Sequence, residues 1–179
     1  MSALLTAALF TYGIFVWYVV RQVGMWPKLS LSLHIAKSKK TIRLARGIIP
    51  IASTASVVWF LFGYAAQQDT SAFIRTLFIL AGVSSSIAGV ISYDHIRRNQ
   101  IVHNVAAWTY AGLIGLIDLI GVTWVSNVAL GRTVSVLGVA QLGLILMYLL
   151  YRPAHRYFFQ LQLVYVGIFS LALLLVAYA

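Results

Sequence analysis

The stretch Ser92–Asn104, SYDHIRRNQIVHN, gathers Asp94, His95, Arg97, Arg98, Asn99, His103 and Asn104 into a short span of a chain that is otherwise sparse in charge. Two chemistries fit these residue types. A histidine beside a carboxylate could act as a general base, with His95 or His103 changing charge near neutrality. Alternatively, Asn99 could cap a helix whose free N–H groups and partial positive charge attract an anion. Arg97 and Arg98 would stand beside that anion, His103 about one turn inside, and Arg152 and Arg156 of YRPAHRY would approach from another basic turn. Arg97, Arg98, His103, Arg152 and Arg156 are thus the candidate anion- or lipid-binding residues.

Zinc fits this histidine set poorly. His34, His95, His103 and His155 lack the three- or four-residue spacing of a helical ligand pair, and no Glu or Cys completes a site. Haem ligands would be expected deeper, on facing helices. The chain has no Gly-x-Ser-x-Gly, no Walker loop and no paired-carboxylate motif, so no catalytic residue, cofactor or metal is assigned. A lipid-modifying enzyme using His103 or His95 stays open beside the favoured non-enzymatic reading.

A second constellation is Asp118, fifteen residues after His103 and so ~22 Å further along one helix. A carboxylate at that depth in a membrane faces the bundle and needs a partner. Arg75 or Arg132 could reach it by snorkelling and clasp neighbouring helices. Alternatively Asp118 and Gln141 line a path for protons or cations in a small transporter or channel. Gln160 and Gln162 add polar groups nearer the basic loops.

The elements that carry these residues follow from composition. The 179 residues are 61% hydrophobic and 9% charged, whereas a soluble domain carries about a quarter charged residues. This is the composition of an integral membrane protein. Thirteen Lys and Arg against three Asp give a formal charge of +10. With no soluble domain to present that charge, nucleic-acid binding is set aside. Cysteine is absent, which excludes disulfides and thiol chemistry. MSALLTAALFTYGIFVWYVV lacks a basic n-region and reads as a retained first span.

Apolar runs of about 20 residues predict an all-α, single-domain bundle of six transmembrane helices, near 2–20, 47–67, 72–92, 100–125, 133–151 and 157–178, with Pro50 in the first turn of the second. Residues 21–46 form a long basic loop. Its LSLSLHI portion alternates like an extended segment or strand, and HIAKSKKTIRLAR suits a short amphipathic helix. The loops after helices one, three and five hold Arg21, Lys28, Lys37, Lys39, Lys40, Arg43, Arg46, Arg97, Arg98, Arg152 and Arg156; the opposite side holds Arg75 and Arg132. The positive-inside rule then places both termini outside and the basic loops in the cytoplasm, at the cytoplasmic membrane if the source is a bacterium. Trp17, Tyr18 and Trp26 would mark one interface, Tyr64 and Trp124 the other. Gly82, Ser86 and Gly89 on helix three, with Ala107, Ala111 and Gly115 on helix four, would let these two helices pack closely.

WPKLSLSLHIA after the first helix and IVHNVAAW opening the fourth resemble the six-helix superfamily of DRAM and Sfk-like proteins and their bacterial relatives. The matching positions are Ser30, Ser32, His103, Asn104, Ala106 and Ala107. In eukaryotic members the first and third loops are expected on the non-cytoplasmic side, whereas here they are the basic ones. The resemblance implies no catalytic chemistry and a membrane-organising or lipid-linked role. The expected partners are the bilayer, anionic lipid at the basic face, and a protein partner or second copy of the chain.

Overall fold

The computed structural model describes residues 1–91 and 97–179. Ser92 to Ile96, and with them Asp94 and His95, lie outside the described residues. Among the described residues the chain is helical without strands. The elements are α1 (Ser2–Val23), the short α2 (Leu31–Ala36), α3 (Lys39–Val58) with a π-helical turn Trp59–Tyr64, α4 (Ala72–Val90), α5 (Arg97–Leu119), α6 (Val128–Leu150), and α7 (Phe158–Tyr178) behind a 3-10 turn Arg152–Tyr157. Each long helix packs on the next, and α7 returns to α1, closing a ring. The closure is polar: Ser2 Oγ donates to the Ala177 carbonyl at 2.8 Å, and Thr6 meets the Tyr178 hydroxyl at 2.8 Å.

Among the described residues, five segments are long and apolar enough to cross a membrane: Ser2–Val23, Lys39–Tyr64, Ala72–Val90, Val128–Leu150 and Arg152–Tyr178. The sixth member of the ring, α5, has 23 residues but spends several of them on Asn99, His103, Asn104 and Asp118.

Several sequence expectations are corrected. The basic loop is mostly helix. α1 runs on to Val23, and α3 starts at Lys39, where Ser38 accepts from the Lys40 N–H. Thr41 and Ala45 are buried while Lys39, Lys40, Arg43 and Arg46 are exposed, so these charges ride the outer face of a helix. LSLSLHI is not extended: the Ser30 hydroxyl accepts from the Leu33 N–H and starts α2. Pro50 consequently lies inside α3. Its ring removes a helical hydrogen bond, and its Cδ packs against Gly89 of α4, where a Cβ would stand 3.2 Å from it. Asn99 stands within α5 and does not cap it. α6 starts at Val128, capped by Asn127, so Arg132 lies inside that helix.

The small residues also do different work. A Cβ on Gly82 would strike Val57, and one on Gly89 would strike Ile49, so this stripe of α4 seats α3. Ser53 of α3 donates to Ser85 of α4 at 2.7 Å across the same contact. α4 and α5 pack closely, as expected, and α5 also crosses α6 tightly. A Cβ on Gly138 would strike the Leu119 nitrogen, and one on Gly131 would fall 3.1 Å from Val122 Cα.

The two ends of the ring differ. At the end bearing the termini, Phe60 stacks on Phe78 at 3.5 Å and Trp124 meets both edge-on. Trp124 is therefore a core residue, its indole N–H donating to the Ile117 carbonyl at 2.9 Å, and not an interfacial belt residue. The Tyr64 hydroxyl donates to the Trp124 carbonyl beside it. The opposite, basic end is hollow and roofed by α2.

Candidate functional site: an axial chamber beneath the basic end

The α2 roof is fixed by one histidine. His34 is fully buried and stacks on Phe159 of α7 at 4.2 Å. Its Nε2 accepts from the Trp26 backbone N–H at 3.0 Å, so its Nδ1 carries the proton and donates to the Ser30 carbonyl at 2.8 Å. Further ties run to α7: the Phe159 N–H donates to the Pro27 carbonyl, and the Leu31 N–H donates to Gln162 Oε1 at 2.7 Å. His34 is thus the pin of the roof.

Under the roof lies a chamber of about 480 Å³ to which all seven helices contribute. Lys28, Ser30 and Ser32 stand at the roof, and His103 and Asn104 on the α5 wall. Deeper, Ser85, Ala88, Gly89, Ala107 and Ala111 leave room because they are small. Tyr12, Ile49, Ser85, Tyr110 and Val166 also line a second space of about 70 Å³, which continues inward to Phe78, Ile114 and Phe169. The chamber is therefore polar near the roof, apolar below, and floored by the aromatic core. The two stretches WPKLSLSLHIA and IVHNVAAW meet across it: Ser30 and Ser32 face the same space as His103, Asn104 and Ala107.

His103 is buried, and its Nδ1 donates to the carbonyl of Ile91, the C-cap of α4, at 2.8 Å. His155 is bonded to the Tyr148 carbonyl through Nε2 at 2.7 Å and lies against the Tyr148 ring. His103 thus ties α5 to the end of α4, and His155 ties the turn before α7 to the end of α6. Arg97, Arg98, Arg152 and Arg156 are all exposed, and none lines the chamber. The expected five-residue cluster is therefore divided: His103 belongs to the chamber wall, and the four arginines belong to the outer surface. Lys28, which the sequence offered only as loop charge, is the lining residue with a fixed charge.

The Asp118 clasp takes another form. Asp118 and Gln141 are both fully buried. With the Gln141 amide nitrogen toward Asp118, it donates to Oδ2 at 2.9 Å while the amide oxygen accepts from the Phe169 N–H at 3.3 Å. Oδ1 has no hydrogen-bond partner among the described residues. Arg75 instead donates to the carbonyls of Thr70 and Ala65 at 3.0 and 3.1 Å, closing the C-terminal turn of α3. Arg132 is exposed near the start of α6. Backbone carbonyls close at hand satisfy Arg75 without drawing it into the bilayer core, so the arginine–aspartate pairing is not formed. Asp118 lines neither the chamber nor the smaller space. Among the described residues no group of three or more His, Asp or Glu side chains is placed to hold a metal ion.

Comparison with protein families, with characterised proteins and with solved structures finds no match to this chain.

Proposed function

We propose that all six long helices cross the membrane, with both termini outside, and that the protein is non-enzymatic and contacts anionic lipid headgroups through its basic cytoplasmic face. One observation carries this reading. Eleven Lys and Arg lie in the segments at one end of the ring, all of them exposed, against Arg75 and Arg132 at the other. Such an imbalance orients a bundle. Three of the basic side chains lie over aromatic rings of the same end: Lys37 over Trp26 at 3.8 Å, Arg21 over Trp17 at 5.3 Å and Lys40 over Tyr18 at 5.5 Å. That arrangement suits the headgroup layer, where aromatic rings and cations gather. The likeness to the DRAM and Sfk-like superfamily belongs to this proposal, supported by the meeting of its two motif stretches on one chamber.

A transport role for Asp118 finds no support in a carboxyl group outside both spaces.

The test uses purified protein in nanodiscs of mixed anionic and zwitterionic phospholipid, with the lipid retained by the protein measured by native mass spectrometry. Each basic side chain near an anionic surface contributes ~1 kcal/mol. Replacing Arg97, Arg98, Arg152 and Arg156 by Gln should therefore lower anionic enrichment at least tenfold. Unchanged enrichment would reject the reading.

A further inference from the structure

We infer that the axial chamber is a binding site for a single acyl chain with an anionic head: the chain lies along the ring axis, and the head sits beneath α2 beside Lys28. This goes beyond contact between the outer basic face and bulk lipid, and it does not depend on that contact.

Four features of the chamber define the ligand. The first is depth. From His103 near the roof to Ile114 in the inner space, α5 advances eleven residues, or ~16 Å by helical rise. That is close to one leaflet's share, about 15 Å, of the bilayer hydrocarbon. The second is the gradient along that depth. Lys28, Ser30, Ser32, His103 and Asn104 surround the upper part, whereas Ala111, Ile114, Val166 and Phe78 surround the lower. An amphiphile with its polar end uppermost matches this order. The third is volume. About 480 Å³ is the size of an ordinary small-molecule site. It takes one chain with a compact head, not the two chains of a whole phospholipid. The fourth is charge: Lys28 lines the chamber, and the segments around it hold the exposed Lys37, Lys39, Lys40 and Arg43. An anionic head is favoured there over a cationic one. Tyr12 and Tyr110 stand where the two spaces join.

Two sources supply this chemistry: a free fatty acid or lysophospholipid, or one chain of a bilayer phospholipid drawn in from the side. The experiment places a photoreactive diazirine at the chain end of three probes: palmitic acid, a lysophosphatidylglycerol and a diacyl phosphatidylglycerol. Purified full-length protein in nanodiscs is irradiated with each, and the labelled peptides are mapped. The expected label falls on the inner wall, at Ile114, Val166 or their neighbours. Labelling by the first two probes alone identifies a single-chain ligand, and labelling by the third identifies a bilayer lipid with one chain inserted.

Ala111→Phe fills the chamber and should reduce inner-wall labelling about tenfold. Val139→Phe, on the exposed face of α6, should leave it unchanged. If Ala111→Phe does not give monodisperse protein, Ala107→Leu narrows the same wall and carries the same expectation. Lys28→Gln should lower the preference for the acid over its methyl ester about fivefold, the ~1 kcal/mol of one basic group. Label confined to outward residues such as Val105, Val139 and Leu171, or inner-wall label that survives both filling variants, overturns the proposal. Loss of inner-wall label in the filled variants with anionic enrichment intact separates this site from the outer arginines.

Discussion

Replacing Gly138 by alanine should be among the most damaging single-methyl changes in this protein. Gly138 lies where α6 crosses α5, and the added carbon would strike the Leu119 nitrogen and stand 2.5 Å from the Asp118 carbonyl carbon and 2.6 Å from Leu119 Cα. Carbon atoms pack favourably at roughly 3.5–4.0 Å, so the backbones must separate by about 1 Å. All three atoms belong to the main chain, so no side-chain rotation relieves the clash. Overpacking a filled interior typically costs 1–3 kcal/mol, occasionally more, and here a cost of about 3 kcal/mol or more is expected. The separation also stretches the Gln141–Asp118 bond of 2.9 Å one turn further along α6. A control lies on the same helix. Gly143 is exposed, with open space where a Cβ would go, and alanine there gains up to ~1 kcal/mol of helix propensity. Unfolding of both variants in mild detergent, followed by circular dichroism against added denaturing detergent, measures the difference. Gly138→Ala unfolding together with Gly143→Ala would refute the close crossing and the placement of Asp118 that depends on it.

The roof supplies another prediction. His34→Ala removes two hydrogen bonds worth ~1 kcal/mol each and a ring stack worth about 0.5–1.5 kcal/mol. Exchange of the α2 amides with deuterium should quicken by about two orders of magnitude, and unaltered exchange would deny His34 its pinning role. The Ser53–Ser85 bond between α3 and α4 should show a coupling near 0.6 kcal/mol, ordinary for a bilayer interior, in a double-alanine cycle of unfolding. Asp118→Asn retains an acceptor for Gln141 and should leave proteoliposome proton and ion flux unaltered. A wild-type flux that this substitution abolishes would reinstate transport.

The ring of long helices was legible because bilayer length and loop charge mark helix ends independently. α4 and α7 fall within two residues of their expected limits. Within 21–46 the helix expected over HIAKSKKTIRLAR is present from Lys39, but it continues unbroken into the next span and is not a separate loop element. In α3 the charges lie on an exposed face while Thr41 and Ala45 turn inward, as an amphipathic reading of that run expects. Ser30 carried a usable signal as a cap before Leu31, but the period-two alternation of LSLSLHI masked it. Asp118 was correctly expected to face the bundle. Charge complementarity pointed to arginine as its partner, whereas the neighbouring α6 supplies Gln141, the residue grouped with Asp118 in the alternative reading. The Gly131–Gly138 pair, seven residues apart, was a readable packing signal on α6 that attention to α4 and α5 passed over. The chamber was not legible, because the alanines and glycines that create its space read equally well as close-packing residues.

That last ambiguity bears on function, because close packing and hollow space use the same residues to opposite ends. Gly138 shows the first use, with main chain of α5 pressed against it. Ala107 and Ala111 show the second, since they face space that no neighbouring side chain fills. Apolar wall left against water costs roughly 25 cal/mol per Å², so the lower part of a chamber near 480 Å³ is poorly served by solvent. Water settles only where polar groups can hold it. Here those groups cluster under α2 and thin out toward Ile114. The apolar lower part needs an apolar occupant, and the bilayer offers acyl chains in abundance. The aromatic packing of Phe60, Phe78 and Trp124 at the opposite end shows that the same ring can be filled with side chains. The hollow therefore belongs to the end where Lys28 and the roof of α2 admit a charged head.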